Sequence, residues 1–339
     1  MSTESALTQS GDAEEKSKHS MHKNIWWSWS KRILTLALFI AVVVLLFMLV
    51  KNLEWQEVKD ALSSYKISTL LLGIGIALAS YSVFSSFDLL ARNYTKHNLP
   101  ARQIMPLAFV CYAFNLNLSA WIGSLAVRYR LYSRLGLEVS TITKILSINI
   151  ITNWLGYIIL AGIIFSFRLL KLPDSWNISA TTFQINGIVL LLVALAYLLA
   201  CRFSRRRTWK IRNHEITLPT WQFALAQAGL GALNWSLMAL LIYTLLPKDA
   251  FYPTVLGVLL ICSIAGVIAH IPAGLGVIET IFITMLQHEF SKGEIIAALL
   301  GYRALYFLLP LSIACVVYVV MENRAKAMRG SNEAKGTRN

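Results

Sequence analysis

The sequence predicts an all-α protein that crosses a membrane several times. Hydrophobic residues make up 56% of its 339 positions and charged residues only 14%, and the mean hydropathy is +0.59. Soluble domains are about 45–50% apolar and carry about 25% charged residues. A helix needs roughly 20 mostly apolar residues to span a bilayer. Six apolar runs predict full spans, at residues 33–50, 68–88, 142–166, 187–201, 221–246 and 295–321.

The net charge of +14 raises the question of a nucleic-acid partner. The lysines and arginines, however, lie in short loops and tails between apolar runs, and no soluble basic domain is evident to hold them. Such a distribution is typical of topology signals and of contacts with anionic lipid headgroups. We therefore predict that the partner is the membrane and that no nucleic acid is bound.

Positively charged loops indicate which side of the protein faces the cytoplasm, because short loops rich in lysine and arginine stay there. The polar residues 1–30 predict a disordered cytoplasmic tail, and residues 322–339 predict a second one. Both termini are therefore expected in the cytoplasm. The strongest basic cluster lies between the fourth and fifth spans and is also expected there: Arg202, Arg205, Arg206, Arg207, Lys210 and Arg212.

This topology is consistent only if two further apolar regions do not cross the membrane. If 104–126 were an ordinary span, the basic residues after it and every later loop would lie on the wrong side. Region 253–288 has about 36 residues, which as helix would extend ~54 Å, well beyond a hydrocarbon core of ~30 Å. Pro272, Gly274 and Gly276 supply a break within it. We therefore predict two re-entrant hairpins, each of which enters and leaves on the same side.

Six full spans and two hairpins predict two membrane repeats, 31–166 and 187–321, each in the order span, span, hairpin, span. Because the first begins in the cytoplasm and the second outside, the repeats would have inverted topology. The segment LSAWIGS at 118–124 also aligns without gaps with IPAGLGV at 271–277. Irregular backbone at membrane depth is tolerated only where it is buried in protein or lines a polar cavity. The hairpins therefore predict a central cavity.

Ionisable residues near the second break are candidate substrate-binding groups, since charge within a membrane usually faces a cavity or a partner. These residues are His270 and Glu279 in the hairpin and Arg303 in the last span. Two interpretations stay open. In one, Glu279 pairs with Arg303 and His270 bonds to a backbone carbonyl. In the other, the three residues balance charge or couple protons during transport.

The first hairpin carries a different set of candidates. Asn115, Asn117 and Gly123 precede two arginines, Arg128 and Arg130. Arginine binds phosphate through two parallel hydrogen bonds. The two arginines just after the glycine-marked break therefore predict contacts with a substrate phosphate, although an interfacial cytoplasmic anchor is the alternative.

Other polar residues have structural explanations. Arg134 is typical of an interfacial anchor, and Asp88 lies one helical turn before Arg92, a spacing that favours an ion pair. The four cysteines fall singly in apolar segments, without metal-like spacing. The sequence contains no Walker loop, nucleophile elbow or zinc motif. We therefore predict no cofactor, no metal and no familiar catalytic centre.

Three segments carry a family resemblance: NLNLSAWIGSLAVRYRLYSRLG, IPAGLGVIET and AALLGYRALYFLLP. They resemble the transmembrane domain of lysylphosphatidylglycerol synthases of the multiple-peptide-resistance type, and most closely the stand-alone YbhN-type inner-membrane proteins of Gram-negative bacteria. The resemblance extends over nearly all of the apolar part of the chain. Its most specific positions, expected to contact substrate, are Pro272, Gly274, Gly276, Glu279, Tyr302 and Arg303.

In the bifunctional members this domain is regarded as a lipid flippase, and a separate soluble domain transfers an aminoacyl group from tRNA. This chain ends shortly after its last predicted span, so we expect neither the synthase domain nor enzymatic activity. The resemblance implies a bacterial inner-membrane translocase for a phospholipid or another anionic lipid. Two alternatives stay open: a translocase for a polyprenyl phosphate carrier, and a non-transporting adaptor that docks a lipid-synthesis enzyme through its basic loop at 202–214.

Overall fold

The computed structural model describes most of the apolar part of the chain as a bundle of helices. The predicted first span at 33–50 and the tails at 1–30 and 322–339 lie outside the described residues, as do His270, Pro272 and Gly274. The described residues are 60, 63–117, 123–170, 179–204, 208–211, 214–247, 249–269 and 276–321.

Nine α-helices follow one another in this described part of the chain. They are α1 (Ile67–Thr95), α2 (Ala101–Asn117), α3 (Gly123–Arg134), α4 (Val139–Ser166), α5 (Ala180–Phe203), α6 (Trp221–Leu245), α7 (Tyr252–Ala269), α8 (Val277–Leu286) and α9 (Lys292–Met321). A π-helical turn, Arg303–Leu308, interrupts α9. Between α5 and α6, Thr208–Ile211 (β1) and His214–Thr217 (β2) form a short antiparallel pair that the sequence interpretation did not include.

Five of the described helices are long and apolar enough to cross a membrane: α1, α4, α5, α6 and α9. They coincide with five of the six predicted spans, which confirms a helical multi-pass architecture for this part of the chain. The two largest errors in span boundaries are equal: α1, predicted to end at Asp88, ends at Thr95, and α5, predicted to begin at residue 187, begins at Ala180. In α1, Asp88 is buried within the protein, so its charge does not mark the membrane surface.

Each of the two predicted hairpin regions consists of two shorter helices that pack on each other, α2 with α3 and α7 with α8. The break between α2 and α3, residues 118–122, is not among the described residues. At 1.5 Å per residue, the 12 residues of α3 and the 10 of α8 extend only ~18 Å and ~15 Å. Neither helix alone is long enough to cross a hydrocarbon core of ~30 Å.

The helices α1–α4 and α6–α9 recur at one spacing along the chain. The sequence distance from Gly123, which begins α3, to Gly276, which precedes α8, also separates Val139 from Lys292, the first residues of α4 and α9. Within the first set, α1 packs on α2 and α4, and α3 packs on α2 and α4; the equivalent helices of the second set pack in the same way. The equivalent helices α1 and α6 also pack on each other. This pattern is expected of two related repeats.

Two glycines allow α4 and α6 to approach closely. A Cβ atom placed on Gly156 would overlap the backbone of Gly231, and one placed on Gly231 would overlap the carbonyl oxygen of Thr152. Small residues permit such approaches between membrane helices, and polar side chains then bond across them. Gln227 Nε2 donates to Thr152 Oγ1 at 3.1 Å, and Gln227 Oε1 accepts from the Tyr197 hydroxyl of α5 at 2.7 Å. These contacts join three spans.

We expect Gly156→Ala to destabilise the protein, because the added methyl group would force α4 and α6 apart. Overpacking of this kind typically costs about 1–3 kcal/mol. Gly229→Ala is the matched control, since it lies on α6 near Gly231 but has open space at its Cβ position. Thermal unfolding of the purified protein in detergent measures both variants. Equal midpoints for the two would contradict the close contact.

Candidate functional site

A buried ion pair joins α1 to α3. Arg128 Nη1 lies 2.5 Å from Asp88 Oδ1, and Asn149 of α4 donates from Nδ2 to the same oxygen at 2.5 Å. The relative exposures of Asp88, Arg128 and Asn149 are 0%, 2% and 3%. A carboxylate inside a membrane protein needs a cation and further hydrogen-bond donors to offset its lost hydration. The contact therefore ties three helices together at one oxygen atom.

The predicted ion pair between Asp88 and Arg92 is wrong, because Asp88 pairs with Arg128. Spacing within one helix favoured Arg92, which is half-buried near the end of α1. A fully buried arginine compensates a buried carboxylate more strongly, since the local dielectric constant is lower there. Only the packing of α3 against α1 brings that arginine within reach.

Three polar atoms of this cluster have no hydrogen-bond partner among the described residues: Asp88 Oδ2, Arg128 Nε and Asn149 Oδ1. They comprise two acceptors and one donor. A small molecule that both accepts and donates hydrogen bonds, such as water, suits this mixture better than a bare cation or anion.

A second ion pair joins α8 to α9. Arg303 Nε donates to Glu279 Oε1 at 2.6 Å, and Glu279 Oε2 accepts the backbone N–H of Gly276 at 2.9 Å. Gly276 has φ +78°, a left-handed conformation that glycine adopts with little strain. The side chain of Arg303 is 7% exposed and that of Glu279 is 26% exposed. A pair between these two residues is what the first of the two interpretations of Glu279 predicted. The pair reaches the protein surface through Glu279.

A ring of four hydrogen bonds lies next along α9. The Tyr306 hydroxyl is 2.7 Å from Ser80 Oγ and 2.9 Å from the Tyr112 hydroxyl. Ser80 donates to Asn234 Oδ1 at 2.9 Å, and Asn234 Nδ2 donates to the Tyr112 hydroxyl at 3.4 Å, which closes the ring. All four side chains are buried. The ring connects α1, α2, α6 and α9, and so joins the two sets of helices.

The π-helical turn of α9 accepts hydrogen bonds from the first set of helices. The Tyr81 hydroxyl of α1 donates to the carbonyl of Tyr306 at 3.0 Å. Asn117, the last residue of α2, donates to the carbonyl of Phe307 at 3.4 Å and to that of Ala113 at 2.9 Å. A π turn disturbs the regular ladder of backbone bonds and is frequent at functional sites. The turn therefore connects the end of α2 to the helix that carries Arg303.

The structure brings several of the predicted site residues together. Glu279 and Arg303 form one ion pair. Tyr302, beside Arg303 in the chain, stacks on Tyr306 with ring centroids 5.3 Å apart. Asn117 from the first hairpin region reaches the same π turn. One end of α2 and the start of α8 are thus linked through α9.

The other predicted site residues are more dispersed, and their role in substrate binding stays a prediction. The guanidinium group of Arg128 is paired with the Asp88 carboxylate. Asn115 and Arg130 are half-buried on α2 and α3, and Gly123 is the first residue of α3. His270, Pro272 and Gly274 fall outside the described residues.

Sequence reasoning missed four members of these clusters: Ser80, Tyr112, Asn149 and Tyr306. A usable signal was present, because a polar side chain in the middle of an apolar helix is unfavourable unless a partner satisfies it. The signal indicates that each residue has a partner within the protein. It does not indicate which helix supplies that partner.

The fold and these contacts define the class of protein: a multi-pass helical membrane protein with ion pairs and a polar ring inside its bundle. A family model described as the lysylphosphatidylglycerol synthase transmembrane region matches residues 33–314. The chain belongs to this family, which confirms the resemblance inferred from its sequence.

Three relatives extend this finding. The chain is 50% identical to inner membrane protein YbhN of Escherichia coli strain K12, over 91% of this chain and 97% of that protein. It is 28% identical to uncharacterized protein slr0712 of Synechocystis, over 77% of this chain and 81% of that protein. It is 22% identical to phosphatidylglycerol lysyltransferase of Staphylococcus haemolyticus, over 87% of this chain but 34% of that protein. The first match and the apolar helices identify a multi-pass inner-membrane protein.

We expect Asp88→Asn and Arg128→Gln each to destabilise the protein strongly, because either leaves a buried charge without its partner. Such losses typically cost about 3–5 kcal/mol. Arg92→Gln, which removes a half-buried charge one turn away on α1, is the matched control. In thermal unfolding in detergent, the midpoint temperature should fall strongly for both single variants and recover in part in the double variant. A double variant no more stable than the worse single one would contradict the pairing.

Proposed function

We propose that this protein moves the headgroup of a phospholipid across the bacterial inner membrane while the acyl chains stay in the bilayer. The observation that carries the proposal is the partly exposed Glu279–Arg303 pair at the N-terminus of α8. Ionisable residues inside membrane helices usually mark a path for a substrate or an ion. The Arg303 guanidinium group lies directly behind the exposed Glu279 carboxylate, and a guanidinium group offers a phosphate a charged, directional ligand.

Two re-entrant hairpins would bring this pair into a path through the protein. The short lengths of α3 and α8 support hairpins that return to the side from which they start. The equal spacing of α1–α4 and α6–α9 supports two repeats, and three crossings in each repeat would make them inverted. Inverted repeats in transporters commonly form the substrate site where they meet, near the middle of the bilayer.

The charges at the helix ends support a topology with both termini in the cytoplasm. Arg92, Lys96 and Arg102 flank the connection from α1 to α2, and Arg202 lies in the last turn of α5. Basic connections of this kind are retained on the cytoplasmic side. With those two connections inside, the break between α2 and α3 enters from the cytoplasm and the break between α7 and α8 enters from outside.

In this mechanism the two ion pairs have different roles. Asp88 holds Arg128, which fixes α3 against α1 and α4, so Arg128 can contact a phosphate only after this pair opens. Arg130 on α3 is the other candidate phosphate ligand of the first repeat. Glu279 is 26% exposed, so a headgroup can reach this carboxylate without such a change, and Arg303 lies next to it. The proposed movement of the headgroup needs no covalent step.

Reconstitution into lipid vesicles tests the proposal. Phospholipids labelled on the acyl chain distribute over both leaflets, and dithionite, which does not cross the membrane, bleaches only the outer one. The wild-type protein is expected to expose the inner lipids to bleaching. Arg303→Gln should slow this process by about ten- to a hundredfold, since losing a charged hydrogen bond costs about 1.5–3 kcal/mol.

Arg168→Gln is the matched control, because Arg168 is exposed after α4 and bonds to Gln184. Its transport rate should equal that of the wild type. Absence of phospholipid movement at every pH gradient would contradict the proposal. Binding of polyprenyl phosphate that diacyl lipids do not compete with would favour the carrier translocase instead.

A further inference from the structure

Among the described residues, two ion pairs each join an arginine of one helix to a carboxylate of another. The pair formed by Asp88 and Arg128 is closed, with side-chain exposures of 0% and 3%. The pair formed by Glu279 and Arg303 reaches the surface through Glu279, whose side chain is 26% exposed, whereas that of Arg303 is 7% exposed. A headgroup that binds Arg303 must therefore separate it from Glu279, whose Oε1 lies 2.6 Å from the arginine Nε.

The net charge of the headgroup decides what happens to this pair. If the phosphate of an anionic lipid takes Arg303, the Glu279 carboxylate loses its arginine in surroundings of low dielectric constant. If a cationic headgroup takes Glu279, Arg303 loses its carboxylate in the same way. Breaking an ion pair by removing one partner is strongly unfavourable where water is scarce.

A zwitterionic headgroup avoids both losses. Its phosphate can accept hydrogen bonds from Arg303 while its ammonium group donates to Glu279, so one internal ion pair is exchanged for two external ones. The Glu279 carboxylate is already oriented by the Gly276 N–H at 2.9 Å. It can therefore hold an ammonium group in the position that Arg303 leaves.

We propose, on the basis of the proposed function, that the transported lipid is zwitterionic, with one phosphate and one primary ammonium group. Arg303 is the counter-charge of the phosphate, and Glu279 is the counter-charge of the ammonium group. When no lipid is bound, Arg303 and Glu279 neutralise each other. The headgroup then replaces each of them as the partner of the other.

The test compares acyl-labelled phosphatidylethanolamine with acyl-labelled phosphatidylglycerol in the same vesicle bleaching experiment. The wild-type protein should move the zwitterionic lipid on the order of tenfold faster than the anionic one. Glu279→Gln should abolish this preference, because the phosphate can then take Arg303 without separating it from a carboxylate. Glu279→Asp keeps the charge and should keep the preference, and Arg168→Gln should leave it unchanged.

A second measurement does not depend on transport rates. Native mass spectrometry of the wild-type protein and of Glu279→Gln, each with equal amounts of the two lipids, should show the same change in preference. Movement of phosphatidylglycerol as fast as phosphatidylethanolamine by the wild type would overturn this inference and leave the proposed function intact. If a folded Glu279→Gln protein moved both lipids more slowly by the same factor, that result would also overturn the inference. Movement of neither lipid by the wild type would overturn the proposed function itself.

Discussion

A charge inside a bilayer must be neutralised by the protein, and the pair formed by Asp88 and Arg128 does this where α1, α3 and α4 meet. The helix α3 has 12 residues and carries several arginines, so apolar packing alone contributes little to fixing its position. The ion pair and the hydrogen bond from Asn149 give it a defined position. The first hairpin region therefore depends on a polar contact, although the bundle around it is apolar.

The two sets of helices are also joined by polar contacts. Ser80 and Tyr112 come from the first set, Asn234 and Tyr306 from the second, and together they close the ring of four hydrogen bonds. Lipid tails are as apolar as leucine side chains, so burial of apolar surface does not select how membrane helices align. Directional hydrogen bonds such as those of the ring do select one alignment. The ring and the π turn beside it thus set the register between the two sets.

The backbone of the two sets repeats, but their chemistry does not. At equivalent spacing, Asp88 corresponds to Leu241, and Glu279 corresponds to Ala126. The closed pair therefore joins α1 to α3 in the first set, whereas the partly exposed pair joins α8 to α9 in the second. The two sets therefore differ in that one holds a closed ion pair and the other holds a pair whose carboxylate is partly exposed. This difference is what makes the second set the better candidate for recognition.

The sequence by itself determined the membrane class and the positions of five described spans, because apolar runs and basic loops are properties of local composition. It indicated the family through three segments that resemble it. It also indicated Glu279 and Arg303, since charges within apolar segments stand out. Only the tertiary structure decided that Asp88 pairs with Arg128 and that Tyr306 joins Ser80. Those partners lie far apart in the chain, and neither hydropathy nor helical periodicity carries information about which helix packs on which. Pairing across helices depends on the packing of the whole bundle, and it becomes visible only when the bundle is assembled.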